Sequence, residues 1–467
     1  MQPTSICRAL VVSALVSALA LGAAPVLAAD AVAAPLVAVE NSGPPVIALD
    51  PAIVATLGRI SAGDLRAIDT KLVSFGTRNL FSEGLHDPKR GVYAARDWLV
   101  AQMKDVAKAS GGRLGVNLDT FVQEKTPRTP RAVETSSVYA TLPGDDPSRG
   151  AIVISSHYDS RNSDGDNATK DAPGADDNGS GTSTVLEAAR ALAPMHFKAT
   201  IIFVCFDGEE QGLFGSAHFA KMLKDKGVRV EADFNDDIMG ASVGHDGESQ
   251  PYDVRLFSEA LPVGAKPARV NAAGTENDSP ARELARAAKR TGEAYVPQMH
   301  VNLIYRADRF LRGGYQESFA EQDFPAIRYV EPHENFDHQH QDVRVENGVQ
   351  YGDLLQYVDF DYVARVTQLN VAALATLALA PPVPVAQLDS RNLGYTSTLL
   401  WDAVPGAVSY DVVWRATTDS GWLHARNVGN VTTATLPLSK DDWLFGVRAL
   451  DASGHGSFVA FPTPKVK

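Results

Sequence analysis

Two adjacent glutamates, Glu209 and Glu210, follow a segment that is typical of a buried β-strand. The segment, from Thr200 to Phe206, is rich in β-branched and aromatic residues, and Gly208 allows the chain to turn as it leaves a sheet. Both acids are therefore expected at the carboxyl end of a strand, where open α/β sheets bind their ligands. A metallohydrolase needs one carboxylate to bind metal and another to accept a proton, although an isolated Glu-Glu pair is more simply a solvated turn.

Other carboxylates and imidazoles also follow predicted strands or lie in adjoining loops. His157 comes at the end of the apolar segment IVISSH, and Asp159 is placed where its carboxylate can bind the second ring nitrogen of His157. Asp176 and Asp177 lie in a Gly-rich loop that, by itself, could be only a turn and a helix N-cap. The remaining candidates are Asp237 in FNDDIMG and His338, His340 and Asp342 after AIRYV.

The segments HYDS, PGADDNGSG, GEEQGLFGS, NDDIMG and a late His-x-x-x-Asp follow one another in a recognisable order. Because it has all five segments in this order, the chain resembles the secreted co-catalytic di-zinc exopeptidases. This superfamily includes bacterial leucyl aminopeptidases, glutamate carboxypeptidases and glutaminyl cyclases. The likeness extends from about Ile47 to Ala380. GADDNGSG together with GEEQGLFGS is a specific signal, whereas either histidine segment alone is weak. The resemblance implies peptide-bond hydrolysis with two Zn²⁺ ions per chain.

The resemblance also implies a role for each motif residue. Asp176 is expected to bridge both zinc ions, and a cis peptide bond is expected between Asp176 and Asp177. Glu209 is expected to be the general base, and Asp159 the outer partner of His157. The other expected zinc ligands are Glu210 and His338 at one site and His157 and Asp237 at the other.

Two departures from the family pattern and one ambiguity limit the comparison. Many relatives carry an Asp-His pair upstream, where this chain has Tyr315 and Gln316. The residue before the last histidine is commonly a tyrosine that helps to hold the oxyanion, but here it is Asp337. Tyr315 could donate that hydrogen bond instead, or it could be an ordinary half-buried tyrosine. The spacing favours His338 over His340 as the ligand, because the family has an aspartate four residues after it, as Asp342 is here.

The residue types fit this chemistry without reference to the family. Carboxylate and imidazole ligands without thiolates suit zinc, and two zinc ions would polarise a peptide carbonyl and lower the pKa of a water. Glu209 would accept the proton and pass it to the leaving amine. The resemblance favours an aminopeptidase that acts on peptides or proteins. A carboxypeptidase or another amidohydrolase is the alternative, because the metal motifs do not encode which end of a peptide enters. An inactive binding protein is disfavoured because all five ligands and Glu209 are present.

The ends of the chain and its composition predict its compartment. Residues 1–29 have the short apolar core and small residues of a secretory signal peptide, and residues 30–45 are Ala/Val/Pro-rich and expected to be disordered. We therefore expect a secreted or periplasmic protein with no membrane span after signal removal. The formal net charge of −13 disfavours a nucleic-acid partner.

Alternating strand and helix patterns predict an α/β catalytic domain over residues 46–380, with a mostly parallel central sheet flanked by helices. A Pro-rich linker follows at 381–385, and residues 386–467 read as a small β-sandwich that resembles a fibronectin type III domain. Trp401 and Tyr410 are expected in its core, although they could instead form a carbohydrate-binding platform. Because every candidate site residue precedes the linker, the tail is expected to be dispensable for catalysis.

Overall fold

The computed structural model describes residues 34–259 and 276–465. The predicted signal peptide and the start of the segment predicted to be disordered lie outside the described residues. The described chain is built around an eight-stranded sheet with the strand order β1-β2-β4-β3-β5-β8-β6-β7. Its strands are β1 (Gly115–Gln123), β2 (Val133–Leu142), β3 (Ala151–His157), β4 (Thr200–Phe206), β5 (Val230–Asp236), β6 (Asp253–Ser258), β7 (His300–Ile304) and β8 (Ala326–Val330).

The four inner strands β4, β3, β5 and β8 are parallel to one another, and antiparallel pairs flank them. Every residue of β3 is buried, as expected for a parallel strand that is covered on both faces. The expected mostly parallel α/β fold is therefore confirmed. Because β4, β3, β5 and β8 run in the same direction, their carboxyl ends all lie at one edge of the sheet.

Helices cover both faces of the sheet. Along β4, Phe203 packs into the larger core and Val204 into a smaller core on the opposite face, because successive side chains of a strand point to opposite sides. The helices are α1 (Pro51–Leu57), α2 (Ala62–Val73), α3 (Val92–Ala109), α4 (Gly181–Leu192), α5 (Phe214–Asp225), α6 (Pro280–Tyr295), α7 (Gln316–Ala320) and α8 (Phe360–Leu379).

One of these helices, α8, is long and apolar enough to cross a membrane, and it is the only such helix among residues 34–259 and 276–465. Most of its side chains are buried against the rest of the protein, including Val366, Leu369 and Leu374. Burial of this kind is typical of a core helix.

The C-terminal strands form two small sheets that pack together. Trp401 and Tyr410 are 5% and 1% exposed and lie in the shared core, so they do not form an exposed carbohydrate platform. A short hairpin, β9 (Arg344–Glu346) and β10 (Val349–Tyr351), precedes this region. The C-terminal strands are β11 (Ala386–Asp389), β12 (Ser397–Trp401), β13 (Ser409–Ala416), β14 (His424–Asn427), β15 (Thr433–Leu436), β16 (Trp443–Leu450) and β17 (Thr463–Lys465).

Part of the N-terminal segment that was predicted to be disordered is extended along these C-terminal strands. Leu36 forms a parallel bridge with Thr435 of β15, and the Val37 N–H donates to the Thr435 carbonyl at 2.7 Å. The Val37 side chain is buried in the core of the C-terminal sheets. Prediction from composition alone is wrong for these residues because an Ala/Val-rich chain can add to an open strand edge.

Buried polar contacts also join the C-terminal strands to the start of α6. Arg415 of β13 lies 2.6 Å from the Asp278 carboxylate, and Arg286 lies 2.9 Å from the same carboxylate. The Trp422 indole N–H donates to Glu283 at 2.7 Å. Removal of the tail would leave the buried carboxylates of Asp278 and Glu283 with fewer partners, so the tail is expected to stabilise the fold even if it is dispensable for catalysis.

Candidate metal centre

The functional side chains gather at the carboxyl edge of the four parallel strands. His157 is the last residue of β3, and Glu209 and Glu210 lie in the turn after β4. Asp237 directly follows β5, and His340 lies in the loop after β8. Loops that leave parallel strands meet at one edge of the sheet, so residues far apart in the sequence become neighbours here.

Two groups of side chains at this edge have the composition and spacing of metal sites. In each group, one possible ligand atom from every residue lies within 4.8 Å of the others. The first group contains His157, Glu209 and Asp237, and the second contains Asp177, Glu210 and His340.

One carboxylate, that of Asp177, joins the two groups. Its Oδ1 lies 3.2 Å from His157 Nε2, and its Oδ2 lies 3.0 Å from His340 Nε2. Asp237 Oδ1 lies 3.5 Å from the same nitrogen of His157, and Glu210 Oε2 lies 3.0 Å from His340 Nε2. The geometry is that of two ligand sets that share one carboxylate.

The structure corrects the assignment of Asp176 as the shared carboxylate. Asp176 Oδ1 accepts a hydrogen bond from the Gly240 N–H at 2.7 Å, and its carboxyl group lies against Glu331. Burial, with the nearby charge of Asp353, raises the pKa of Asp176 well above its usual value. The cis peptide bond is also one residue later than expected, between Asp177 and Asn178.

The structure also corrects the choice of histidine. The His338 ring stacks on Tyr357, with 3.6 Å between ring centroids, and it takes no part in either group. Asp342, whose spacing favoured His338, accepts a hydrogen bond from Ser163 and pairs with Lys170 at 3.2 Å. His340, which adopts a positive φ of 54°, instead lies 3.0 Å from both Asp177 Oδ2 and Glu210 Oε2.

Asp159 holds three of the site residues. Its Oδ1 lies 3.3 Å from His157 Nδ1, the ring nitrogen opposite the candidate metal position. The same carboxylate accepts hydrogen bonds from the backbone N–H groups of Glu209 and Glu210, each at 3.2 Å. One buried aspartate thus orients the imidazole and fixes the turn that carries both glutamates.

Tyr315 does not occupy the position expected of an oxyanion donor. Its side chain is fully buried, and its hydroxyl donates to the backbone carbonyl of Asp236. The hydroxyl also accepts from Asn178 Nδ2 at 3.2 Å, and the edge of the ring contacts His157. Because its hydroxyl already binds the Asp236 carbonyl and the Asn178 amide, Tyr315 is not free to bind an oxyanion. Its ring instead packs against His157.

A buried arginine that sequence reasoning missed contacts a candidate ligand. Arg328 of β8 is 1% exposed, and its Nη2 lies 2.8 Å from Asp237 Oδ2. It also pairs with Asp308 and donates to the Gly313 carbonyl at 2.6 Å. Burial opposes its charge, but Asp237 and Asp308 together raise the pKa of Arg328 above the usual value. A lone charge within the apolar strand AIRYV was the only signal in the sequence.

The loop that carries Asp177 is also held by residues that the sequence did not indicate. The Asp353 carboxylate accepts hydrogen bonds from the N–H groups of Asp176 and Asp177, at 2.8 and 2.7 Å. Arg78, which is buried, donates to the backbone carbonyls of Tyr158 and Gly174. These contacts fix the backbone, so that the direction of the Asp177 side chain does not depend on a flexible loop.

The donor groups at this edge fit a metal. His157 Nε2, Glu210 Oε1 and Asp237 Oδ1 are buried and lack a hydrogen-bond partner among the described residues. Buried polar atoms of proteins nearly always have a partner, so three such atoms in the two ligand sets indicate that something else binds there. Imidazole nitrogens and carboxylate oxygens without thiolates are a donor set that zinc accepts.

Glu209 differs from the other carboxylates of the site. It lies within 4.8 Å of the ligand atoms of His157 and Asp237 but makes none of the closer contacts to the histidines that Asp177, Glu210 and Asp237 make. Burial raises the pKa of Glu209 well above its usual value, although His157 opposes the shift. Glu209 and the two ligand sets open into a cleft of about 450 Å³.

Comparisons with known proteins agree with this chemistry. The family model for peptidase family M28 matches residues 137–346. A probable zinc metalloprotease of Pyrenophora tritici-repentis is 44% identical over 424 residues, which cover 89% of this chain and 87% of the relative. A probable zinc metalloprotease of Leptosphaeria maculans is 44% identical over 421 residues, covering 88% of this chain and 97% of the relative.

Solved structures resemble the fold. The LapA aminopeptidase of Legionella pneumophila superposes with a TM-score of 0.52 at 21% identity, covering 70% of this chain and 74% of LapA. LapB of the same organism gives a TM-score of 0.52 at 18% identity, covering 72% of this chain and 78% of LapB. At this identity the likeness concerns the architecture of the chain.

Proposed function

Because the chain belongs to peptidase family M28 and is a metallopeptidase, we propose that it is a zinc-dependent aminopeptidase that removes residues from the amino end of peptides. The observation that carries the proposal is the position of Asp177, whose two oxygens face His157 Nε2 and His340 Nε2. A carboxylate placed in this way can serve two metal ions at once. LapA, whose fold is similar, is an aminopeptidase, and this favours the amino end.

We assign the ligands from this geometry. Asp177 would be shared, with His157 and Asp237 completing one set and Glu210 and His340 the other. Two zinc ions held there would supply Lewis-acid activation of the scissile carbonyl and of a water.

The chain's own groups then perform the proton transfers and the positioning. Glu209 takes the proton of the attacking water and gives it to the leaving amine, which fits a carboxylate whose pKa is raised by burial. Asp159 keeps the His157 ring in place by binding Nδ1, and it holds the Glu209 N–H, so that the base and the imidazole move together. Arg328 binds Asp237 Oδ2 and leaves Oδ1 directed toward His157.

The setting of the enzyme and the nature of its tail are part of the same proposal. The signal-like residues 1–29 favour secretion or a periplasmic location, and the acidic composition favours peptide substrates over nucleic acid. The two packed C-terminal sheets support a fibronectin type III-like sandwich. Its contacts with α6 favour a structural role for it.

The test compares one tripeptide in two blocked forms, acetylated at the amino end or amidated at the carboxyl end. The amidated peptide should be cleaved by the zinc-loaded protein, and the acetylated peptide should resist. The Glu209→Gln protein, prepared in the same way, controls for contaminating peptidases. Cleavage of only the acetylated peptide would instead support a carboxypeptidase, and cleavage of neither would support a binding protein on this scaffold.

A further inference from the structure

The cleft over the two ligand sets is lined by five arginines, and the five fall into two groups. Arg328 and Arg309 are committed to carboxylates, since Arg328 pairs with Asp237 and Asp308 and Arg309 pairs with Glu334 at 2.7 Å. The other three, Arg128, Arg161 and Arg312, have no ion-pair partner among residues 34–259 and 276–465.

Three different loops bring these unpaired arginines together. Arg128 lies between β1 and β2, Arg161 follows β3, and Arg312 lies between β7 and α7. Arg128 Nη2 donates to the Glu210 carbonyl at 3.3 Å, and Arg312 Nη1 lies 3.4 Å from His340 Nδ1. Arg161 donates only to the backbone carbonyls of its own loop, Asn162 and Ser163. Three separate segments thus contribute arginines to the lining of the cleft, and the guanidinium groups of Arg128 and Arg312 lie beside Glu210 and His340.

The charge of the cleft depends on the metal ions. Two divalent cations would offset the four carboxylates of Asp177, Glu209, Glu210 and Asp237. The committed arginines are already balanced by Asp308 and Glu334. Glu317 is then the remaining acid in the lining, against three arginines. The cleft of an acidic protein would therefore be locally positive.

We propose that Arg128, Arg161 and Arg312 bind a carboxylate of the substrate, so that the enzyme prefers peptides that carry one near the scissile bond. The inference rests on the proposed peptidase function and adds the substrate class to it. A guanidinium group presents parallel N–H donors that match a carboxylate, and several converging at one point select for negative charge. The carboxylate can come from an acidic side chain or from the free carboxyl end of a short peptide.

Two matched substrate pairs separate these sources. Glutamyl and glutaminyl p-nitroanilides differ in side-chain charge and have no terminal carboxylate, whereas Leu-Phe and Leu-Phe amide differ only at the carboxyl end. The charged member should have a kcat/KM about 10-fold higher in at least one pair, the gain expected from one hydrogen bond to a charged group. The pair that shows the preference identifies the source.

Variants connect the preference to the arginines. Arg128→Gln, Arg161→Gln and Arg312→Gln should each reduce the ratio between charged and neutral substrates, mainly through KM. Arg306→Gln is the matched control, because Arg306 is an exposed arginine of the same loop as Arg312 and does not line the cleft. Zinc content is measured for each variant, and Arg161→Gln is the cleanest of the three because it contacts no candidate ligand.

A binding measurement separates this inference from the proposed function. Calorimetric titration of Leu-Phe and Leu-Phe amide, and of glutamate and glutamine, into the zinc-loaded Glu209→Gln protein needs no turnover. Tighter binding of the charged member, lost in the Arg161→Gln double variant, supports the inference even if neither peptide is cleaved. Equal kcat/KM and equal binding within both pairs, or a preference that survives in all three arginine variants, would overturn it while leaving the peptidase assignment standing.

Discussion

Replacement of Arg328 with glutamine should weaken metal binding and also destabilise the fold. The guanidinium group is buried and holds two carboxylates, Asp237 and Asp308. Loss of the guanidinium group leaves the charges of both buried carboxylates less well neutralised. Breaking a buried ion pair of this kind costs about 3–5 kcal/mol of folding free energy. Residues that orient a metal ligand change the affinity by about 10- to 100-fold when removed, and Arg328 holds Asp237 in this way.

Two measurements distinguish these effects. Urea unfolding of the metal-free protein gives the loss of stability, and competition with a chromogenic zinc chelator gives the loss of affinity. Arg255→Gln is the control, because Arg255 lies on the neighbouring strand β6 and pairs with Glu334 at 2.8 Å, away from the ligand sets. It should lose stability but keep its zinc affinity. If Arg328→Gln bound zinc as tightly as Arg255→Gln does, the role assigned to Arg328 would be wrong.

Three further predictions concern the base, the buried tyrosine and the tail. Glu209→Gln should lower kcat by about a hundred- to ten-thousand-fold with zinc content near wild type, whereas Glu210→Gln should lose zinc as well as rate. Metal analysis and initial rates, measured on the same sample of each variant, test both outcomes. Tyr315→Phe should lower stability by about 1–3 kcal/mol and leave kcat within a few-fold, because its hydroxyl binds a backbone carbonyl; a thousand-fold loss of rate in a folded variant would contradict this. A chain that ends at residue 384 should melt well below the full chain, because Glu283 and its neighbourhood lose Trp422; an unchanged melting temperature would contradict this, whereas turnover by the truncated chain tests the separate expectation that the tail is dispensable for catalysis.

The sequence could predict the fold and the edge of the sheet that carries the site. Apolar segments such as Thr200 to Phe206 can be recognised as buried strands, and the residue that follows a strand is placed at the sheet edge whatever the details of the loop. For this reason the positions of His157 and the Glu209–Glu210 turn followed directly from strand ends.

The directions of side chains within loops could not be predicted in the same way. Asp176 and Asp177 are adjacent in a loop without a repeating pattern, and Asp353 and Gly240, which decide where each one points, lie far away in the sequence. His338 is held by stacking on Tyr357, a contact that no spacing rule contains. Both differences therefore concern which of two nearby residues faces the candidate site.

The most direct test of the account is the zinc content of two adjacent aspartate variants after reconstitution with zinc and removal of excess metal. The wild-type protein should hold two zinc ions per chain. Asp177→Ala should lose both, because its oxygens face both histidines, and Asp176→Asn should keep two, because Asp176 instead binds the Gly240 N–H. Two zinc ions retained by Asp177→Ala, together with loss of both from Asp176→Asn, would contradict the assignment of the shared carboxylate.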